Sequence, residues 1–203
     1  MASTSVTYAQ SKVGSLRIVW ENESLADSVR FKAIMDFYLE NTQSSPNSSL
    51  KLSKFHYQLA KQLGNRKEEA LALNEKAFVF HIQGYKSDSI NGVLQEVLLI
   101  YTELKNYNGI ASTKNNIGAL FQHQGDYQSA INYYKEALTL FKAQKNKLMV
   151  ADVLNNIAGI YYFIELNDLA LLNYKEALSI YTNEGADEKA GFLWLNMAVI
   201  YTK

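Results

Sequence analysis

Apolar residues return at helical spacing along almost the whole chain, and between residues 115 and 181 the same pattern is written twice. NNIGALFQHQGDYQSAINYYKEALTLF is followed by NNIAGIYYFIELNDLALLNYKEALSIY, so that Lys135-Glu136-Ala137-Leu138 superposes on Lys175-Glu176-Ala177-Leu178. The offset is about 40 residues, and self-similarity at a fixed period of that order marks an array whose units bury their apolar faces on one another. Small residues recur where two helices must approach: Gly118, Ala130 and Ala137 in the first copy, Ala158, Ala170 and Ala177 in the second. Axes about 8 Å apart leave room for nothing larger at the crossing. Larger partners recur beside them, Ile117, Phe121, Tyr134 and Phe141, then Ile157, Tyr161, Tyr174 and Tyr181. The expected fold is all-α, a solenoid of antiparallel helix pairs.

The periodicity places first helices over 66–83, 107–124, 147–164 and 187–203, and second helices over 86–104, 127–144 and 167–183. Regular repeats then cover 66–106, 107–146 and 147–186, with a partial repeat over 187–203. Residues 6–65 read as irregular helices. One stripe runs from Ala9 to Trp20, a second from Leu25 to Tyr38, and a third from Asn47 to Leu63. The chain's only proline, Pro46, stands where a helix accepts it, one residue after Ser45 as cap. Residues 1–5 are small and polar, a leader without assigned structure, so a single solenoid domain is expected over 6–203. Gly84 and Gly125 end two first helices where a left-handed residue is wanted. The third unit offers Glu165-Leu166-Asn167 instead, which implies a reshaped turn or Asn167 in the left-handed position.

These small and large positions resemble the tetratricopeptide repeat. Trp194, Met197, Ala198 and Tyr201 occupy that family's Trp, Leu, Gly and Tyr places of a first helix, and Ala70–Gly84 followed by Gln95–Tyr101 is a weaker copy upstream. The resemblance implies an α-solenoid of paired helices winding as a right-handed superhelix, and a protein-binding role. The period exceeds the usual 34 or so residues, and longer second helices with longer linkers are expected to account for the excess. The amino-terminal part, through Trp20, Asp27-Ser28-Val29-Arg30 and the Ser45–Ser48 turn ahead of Leu50, looks like the leading part of the sensor region in certain bacterial signalling receptors. There such arrays precede a membrane helix and a class III nucleotidyl cyclase or histidine kinase, and no such effector lies within these residues.

The inner, concave face of the first helices is where binding is expected. Ser112, Asn115, Ala119 and Gln122 share one face, with His123 at its edge. Their equivalents are Asp152, Asn155, Gly159, Tyr162 and Phe163 in the following unit, and Leu71, Asn74, Phe78, His81 and Ile82 in the one before. Asn74, Asn115 and Asn155 then form a ladder, with Asn116, Asn156 and Asn196 as a second row. An amide offers donors and an acceptor, which suits the backbone of an extended peptide. It equally suits hydrogen bonds between neighbouring helices, so both roles stay open. The candidate groove is Asn74, Phe78, His81, Asn115, Asn116, Gln122, His123, Asn155, Asn156 and Tyr162. Family members that clamp a terminal carboxylate use cations at places held here by Asn74, Phe78, Asn116, Asp152 and Asn156, so a peptide ending in clustered acids is not the expected ligand. Phe78, Tyr162, Phe163 and Phe192 instead favour an apolar or aromatic anchor.

Composition removes other classes. Lys plus Arg and Asp plus Glu are balanced at 20 each, so net charge offers nothing to nucleic acid or to an anionic membrane. With no cysteine, disulfides, thiolate metal sites and a cysteine nucleophile are excluded. No apolar run approaches the roughly 18 residues that span a bilayer. The compartment stays open between an extracytoplasmic or periplasmic sensor segment and the cytoplasm. His56, His81 and His123 sit on different predicted helices and read as surface or groove residues, with no HExxH and no carboxylate–histidine cluster for a metal. Glu68 and Glu69 read as ordinary first-turn acids. There is no phosphate loop and no GxSxG elbow, so neither cofactor nor catalysis is expected. The last helix is apolar nearly all round from Gly191 to Tyr201, whereas a terminal repeat helix needs a polar outer face. Either a longer natural chain covers it, the favoured expectation, or two copies of this chain form a homodimer through 187–203. The expected function is a protein- or ligand-binding sensor module. A general assembly scaffold is the alternative, and an enzyme a distant third.

Overall fold

The computed structural model describes residues 16–42 and 44–202. Among them the structure is helical, without strands: α1 (Asp27–Asn41), α2 (Pro46–Gln62), α3 (Arg66–Ile82), α4 (Ser87–Glu103), α5 (Tyr107–His123), α6 (Tyr127–Ala143), α7 (Lys147–Phe163), α8 (Asn167–Asn183) and α9 (Asp187–Tyr201). Residues 16–21 are also helical. The leader at 1–5 and most of the first predicted stripe lie outside the described residues.

One local device ends these helices. At the turn, a residue in the left-handed region lets the next N–H reach back to a carbonyl of the last helical turn, satisfying a group the helix leaves open. Asn106 N–H donates to the Tyr101 carbonyl at 2.9 Å, Asp126 to Phe121 at 3.0 Å, Asn146 to Phe141 at 3.0 Å and Leu166 to Tyr161 at 2.8 Å. Glycine fills the left-handed place at Gly64, Gly84, Gly125 and Gly185, while Lys105, Lys145 and Glu165 fill it at φ 52°, 56° and 63°. The third turn is therefore not reshaped, and Glu165, not Asn167, is the left-handed residue. Asn167 is already the first residue of α8.

The turn's last residue caps the next helix. The side chains of Asn65, Asn106, Asp126 and Asn146 accept from the backbone N–H three residues on, each such cap stabilising its helix by about 1 kcal/mol. With turn and cap compressed into residues 124–126 and 144–146, α5, α6, α7 and α8 are all 17 residues long. The long period thus comes from both helices of a pair equally, not from longer second helices and longer linkers. Each helix carries nearly one extra turn, at about 3.6 residues per turn.

The chain divides into two compact units, residues 1–100 and 101–203, with the division falling within α4. In the first unit, Trp20, Phe31, Ile34, Phe37, Leu52, Leu59 and Val79 form one core. The Trp20 and Phe37 rings meet edge to face with centroids 5.4 Å apart. Arg30, buried beneath them, donates from Nε to the Trp20 carbonyl at 3.1 Å. Trp20 and Arg30, which stand out in the sequence, are thus packing residues of one corner, while Asp27, Ser28 and Val29 are exposed. Pro46 opens α2 as the sequence predicts, although Ser45 makes no side-chain cap bond.

In the second unit, α5 packs on α6, α6 on α7, α7 on α8 and α8 on α9 around a core that includes Ala130, Tyr134, Phe141, Ile157, Ala158 and Tyr174. A Cβ placed on Gly118 would lie 2.8 Å from the Tyr134 ring and 3.2 Å from the Ala130 carbonyl, so the crossing of α5 and α6 admits only glycine at that distance. Ala137 and Ala177 are wholly buried, as their predicted place between neighbouring helices demands.

Candidate functional site

In the second unit, α5 and α7 lie close enough that Asn156 Nδ2 donates to Asn115 Oδ1 at 3.1 Å. The bond crosses the two predicted rows. Asn115 of the inner row meets Asn156 of the outer row, while Asn116 is exposed and Asn155 half-buried. One hydrogen bond uses one acceptor and one N–H of the pair, and an amide pair holds more than that. The two asparagines therefore tie adjacent first helices together and still carry unused polar capacity.

Beside this pair a cleft of about 430 Å³ opens, lined by Gln122, His123, Tyr127, Asn156, Gly159 and Phe163, with Ala119 and Tyr134 beneath. Tyr134 donates its phenol proton to Gln122 Oε1 at 2.8 Å, which fixes the Gln122 amide and leaves its NH2 as donor. Burial pushes the Tyr134 phenol up to about 12, so it remains a donor at any physiological pH. The Tyr127 and Phe163 rings form an apolar wall, their centroids 5.2 Å apart. Tyr162 is half-buried nearby on α7. The arrangement offers aromatic surface next to amide groups, the chemistry that receives an apolar side chain while reading the backbone that carries it.

Several charges in this unit are paired locally. Asp152 accepts from the Tyr181 hydroxyl at 2.5 Å and from Lys189 Nζ at 2.6 Å. Burial first, and then the Asp152 carboxylate, raises the Tyr181 phenol well above its ordinary range. Lys114 pairs with Glu136, Lys142 with Glu176 at 3.3 Å and Lys147 with Glu184 at 2.8 Å. Exposed pairs of this kind add roughly 0–1 kcal/mol each.

In the first unit, Asn74 donates to the Ala70 carbonyl of its own helix at 3.1 Å, Phe78 is half out in solvent, and His81 is exposed. His56 departs from the sequence reading. It is wholly buried, with Nδ1 3.1 Å from Glu75 Oε2 and Nε2 3.1 Å from Glu68 Oε2. A carboxylate–histidine cluster thus exists, and Glu68 is more than a first-turn acid. Both ring nitrogens face carboxylates, and a ring that donates at both is an imidazolium. Burial lowers its pKa, but hydrogen bonds and charge from Glu75 and Glu68 outweigh that and the pKa is raised. The two carboxylates bind opposite edges of the ring and do not converge on one point. Among the described residues no group of histidine and carboxylate side chains is arranged to hold a metal ion. Nor, among them, is any helix long and apolar enough to cross a membrane.

Equal helices paired antiparallel, with small residues at each crossing and a register repeating every pair, define an α-solenoid of stacked hairpins. A family profile for the tetratricopeptide repeat matches residues 93–143 and 109–183, so that span of the chain carries the tetratricopeptide repeat pattern. Protein or peptide partners are what that repeat implies. Among solved structures, BtubC (BKLC) from P. vanneervenii is similar at 21% identity and a TM-score of 0.77, covering 97% of this chain and 82% of that one. A signal transduction ATPase with numerous domains from Pyrococcus horikoshii, carrying a tetratricopeptide repeat sensor, is similar at 15% identity and a TM-score of 0.57, covering 94% of this chain and 32% of that one. A Podosopora anserina protein of the kinesin light chain kind, built of nearly identical repeats, is similar at 12% identity and a TM-score of 0.54, covering 84% and 92%. At these identities the likeness is one of fold. No curated protein matches the sequence significantly.

Proposed function

We propose that the chain is a non-catalytic binding module whose second unit takes an extended peptide across α5 and α7. The observation that carries this reading is the cleft beside the Asn115–Asn156 pair, where Gln122, His123 and Asn156 face the Tyr127–Phe163 wall. An apolar or aromatic side chain of the peptide enters the cleft, and its flanking backbone exchanges hydrogen bonds with the amides of Asn115, Asn156 and Gln122. Asn116, Asn155 and Tyr162 flank that track, and Asn74, Phe78 and His81 hold the corresponding places in the first unit. Pairing of Asp152 with Lys189 and of Lys114 with Glu136 supports a ligand without clustered charge.

The role is proposed to be that of a sensor or regulatory region of a bacterial signalling receptor. Support comes from the amino-terminal resemblance and from the fold shared with the repeat sensor of the Pyrococcus protein. A general assembly scaffold is the alternative, and the sequence encoded downstream of these residues separates the two. A membrane helix and catalytic domain there supports the receptor, and further repeats to the end support the scaffold. For the binding face, a random peptide library is panned against the full chain and the selected peptide is titrated against Asn115→Ala and Asn156→Ala. Each loss of a hydrogen bond of about 1 kcal/mol weakens binding roughly fivefold. Unchanged affinity in both variants removes this face from consideration.

A further inference from the structure

Inside α7 one residue is smaller than the packing of the protein requires. A glycine in a helix interior costs backbone entropy relative to alanine. At Gly118 on α5 the helix crossing explains it, since a Cβ there would lie 2.8 Å from the Tyr134 ring. Gly159 has no such constraint: a Cβ on it would find only the Tyr174 hydroxyl oxygen, at 4.0 Å, an ordinary contact. Gly159 does line the cleft of about 430 Å³ beside Gln122 and the Tyr127–Phe163 wall, so the space that a methyl group would take is space in the cleft. The same register place is held by Phe78 and Ala119 in the two preceding copies, and side-chain size there falls from phenylalanine to alanine to glycine along the chain. The cleft also has a fixed polarity at one edge. Tyr134 donates to Gln122 Oε1 at 2.8 Å, so the amide cannot turn over without losing that bond, and its NH2 is the pole left to donate.

We propose, resting on the peptide reading above, that the main chain of the ligand lies directly on α7 at Gly159, with a carbonyl turned to the Gln122 NH2 and an apolar side chain against Tyr127 and Phe163. Gly159 is then a specificity-determining position, because a helix surface without a Cβ is what lets another main chain approach closely. Tyr134 is a positioning residue that acts through Gln122. The occupant is an extended peptide and not an apolar small molecule, since a ligand without a carbonyl leaves the Gln122 NH2 covered and unpaired.

The probe is the peptide panned from a random library against the full chain, titrated into variants whose thermal melts are recorded alongside. Gly159→Ala is expected to melt no lower than the wild type, because its methyl group meets no protein atom nearer than 4.0 Å, and to bind at least about tenfold more weakly. Tyr134→Phe keeps the ring over Gly118 and removes only the donor, and a loss of about fivefold is expected. Gln122→Ala weakens binding at least as much, and the double variant binds no more weakly than Gln122→Ala alone, because Tyr134 then has nothing to orient. Binding by Gly159→Ala within about twofold of the wild type overturns the proposal. A Gly159→Ala melt well below the wild type overturns it too, by making the glycine a packing residue. So do losses that simply add in the double variant, the result that a purely structural Tyr134 gives. When Asn115→Ala and Asn156→Ala weaken the peptide in those cases, the peptide reading stands and only this inference falls. When neither weakens it, the reading itself falls and this inference with it.

Discussion

His56 lies in the interior between the Glu75 and Glu68 carboxylates, and a pKa raised by them makes folding of the first unit proton-linked. Its pKa is raised in the folded chain by Glu75 and Glu68 against the opposing effect of burial. A group raised on folding contributes stability that is fully present below its unfolded pKa, about 6.5, and that is lost as pH rises through the folded value. Tyr38, which packs near Glu75, is raised by burial and by the Glu75 charge and stays protonated across this window. Denaturant unfolding followed from mildly acidic to alkaline pH is expected to show a decline that sets in above about pH 6.5 and that His56→Gln removes. The same substitution costs about 3–5 kcal/mol on the acid side, because it leaves a buried carboxylate without its cation. At the helix crossings the deciding quantity is volume. Gly118→Ala drives a methyl group to 2.8 Å from the Tyr134 ring and is expected to cost about 1–3 kcal/mol. Gly92, mid-helix with nothing within 4 Å, gives the opposite result. Gly92→Ala stabilises by roughly 0.5–1 kcal/mol, and thermal melts of the two variants should move in opposite directions.

At the scale of the element, the uniform turn sets the period. Where glycine is absent the left-handed conformation is strained, and Glu165 at φ 63° is one of three such places. Glu165→Gly is expected to stabilise the second unit by up to about 1 kcal/mol, read as a shift in denaturant midpoint at constant slope. Helix boundaries, crossing residues and the Pro46 start were legible in the sequence because each leaves a mark at fixed spacing: a small side chain, an apolar stripe, a fixed φ. The turn around Glu165 was not, since the hydrogen bond from Leu166 to Tyr161 is made by backbone and accepts any residue at a modest cost. The even division of the extra length between both helices of a pair was hidden for the same reason. The His56 cluster was invisible for another: its carboxylates lie 12 and 19 residues away on a different helix, and no periodicity links them. Register, by contrast, foretold the last helix, whose Ala190, Leu193, Met197 and Ile200 are buried.

At the scale of the whole molecule, the repeat supplies a recurring frame and the differences between copies supply the chemistry. The core residues recur from unit to unit, while the face at Ser112, Asn115 and Gln122 changes to Asp152, Asn155 and Tyr162. That contrast between a recurring core and a changing face is why the proposed binding surface is placed on the first helices. The amide positions were legible from their spacing, but not the bond that joins Asn115 to Asn156 across the two rows, because which amides meet depends on how far one helix slides along the next. The most direct test is a nitrogen-15 NMR titration of the full chain with a library-selected peptide, following the side-chain NH2 signals of Asn115, Gln122 and Asn156. Saturable shifts of these three amides, with the backbone of α6 and α8 unmoved away from Tyr127 and Tyr134, are predicted. Saturable binding that leaves all three unchanged would contradict the account.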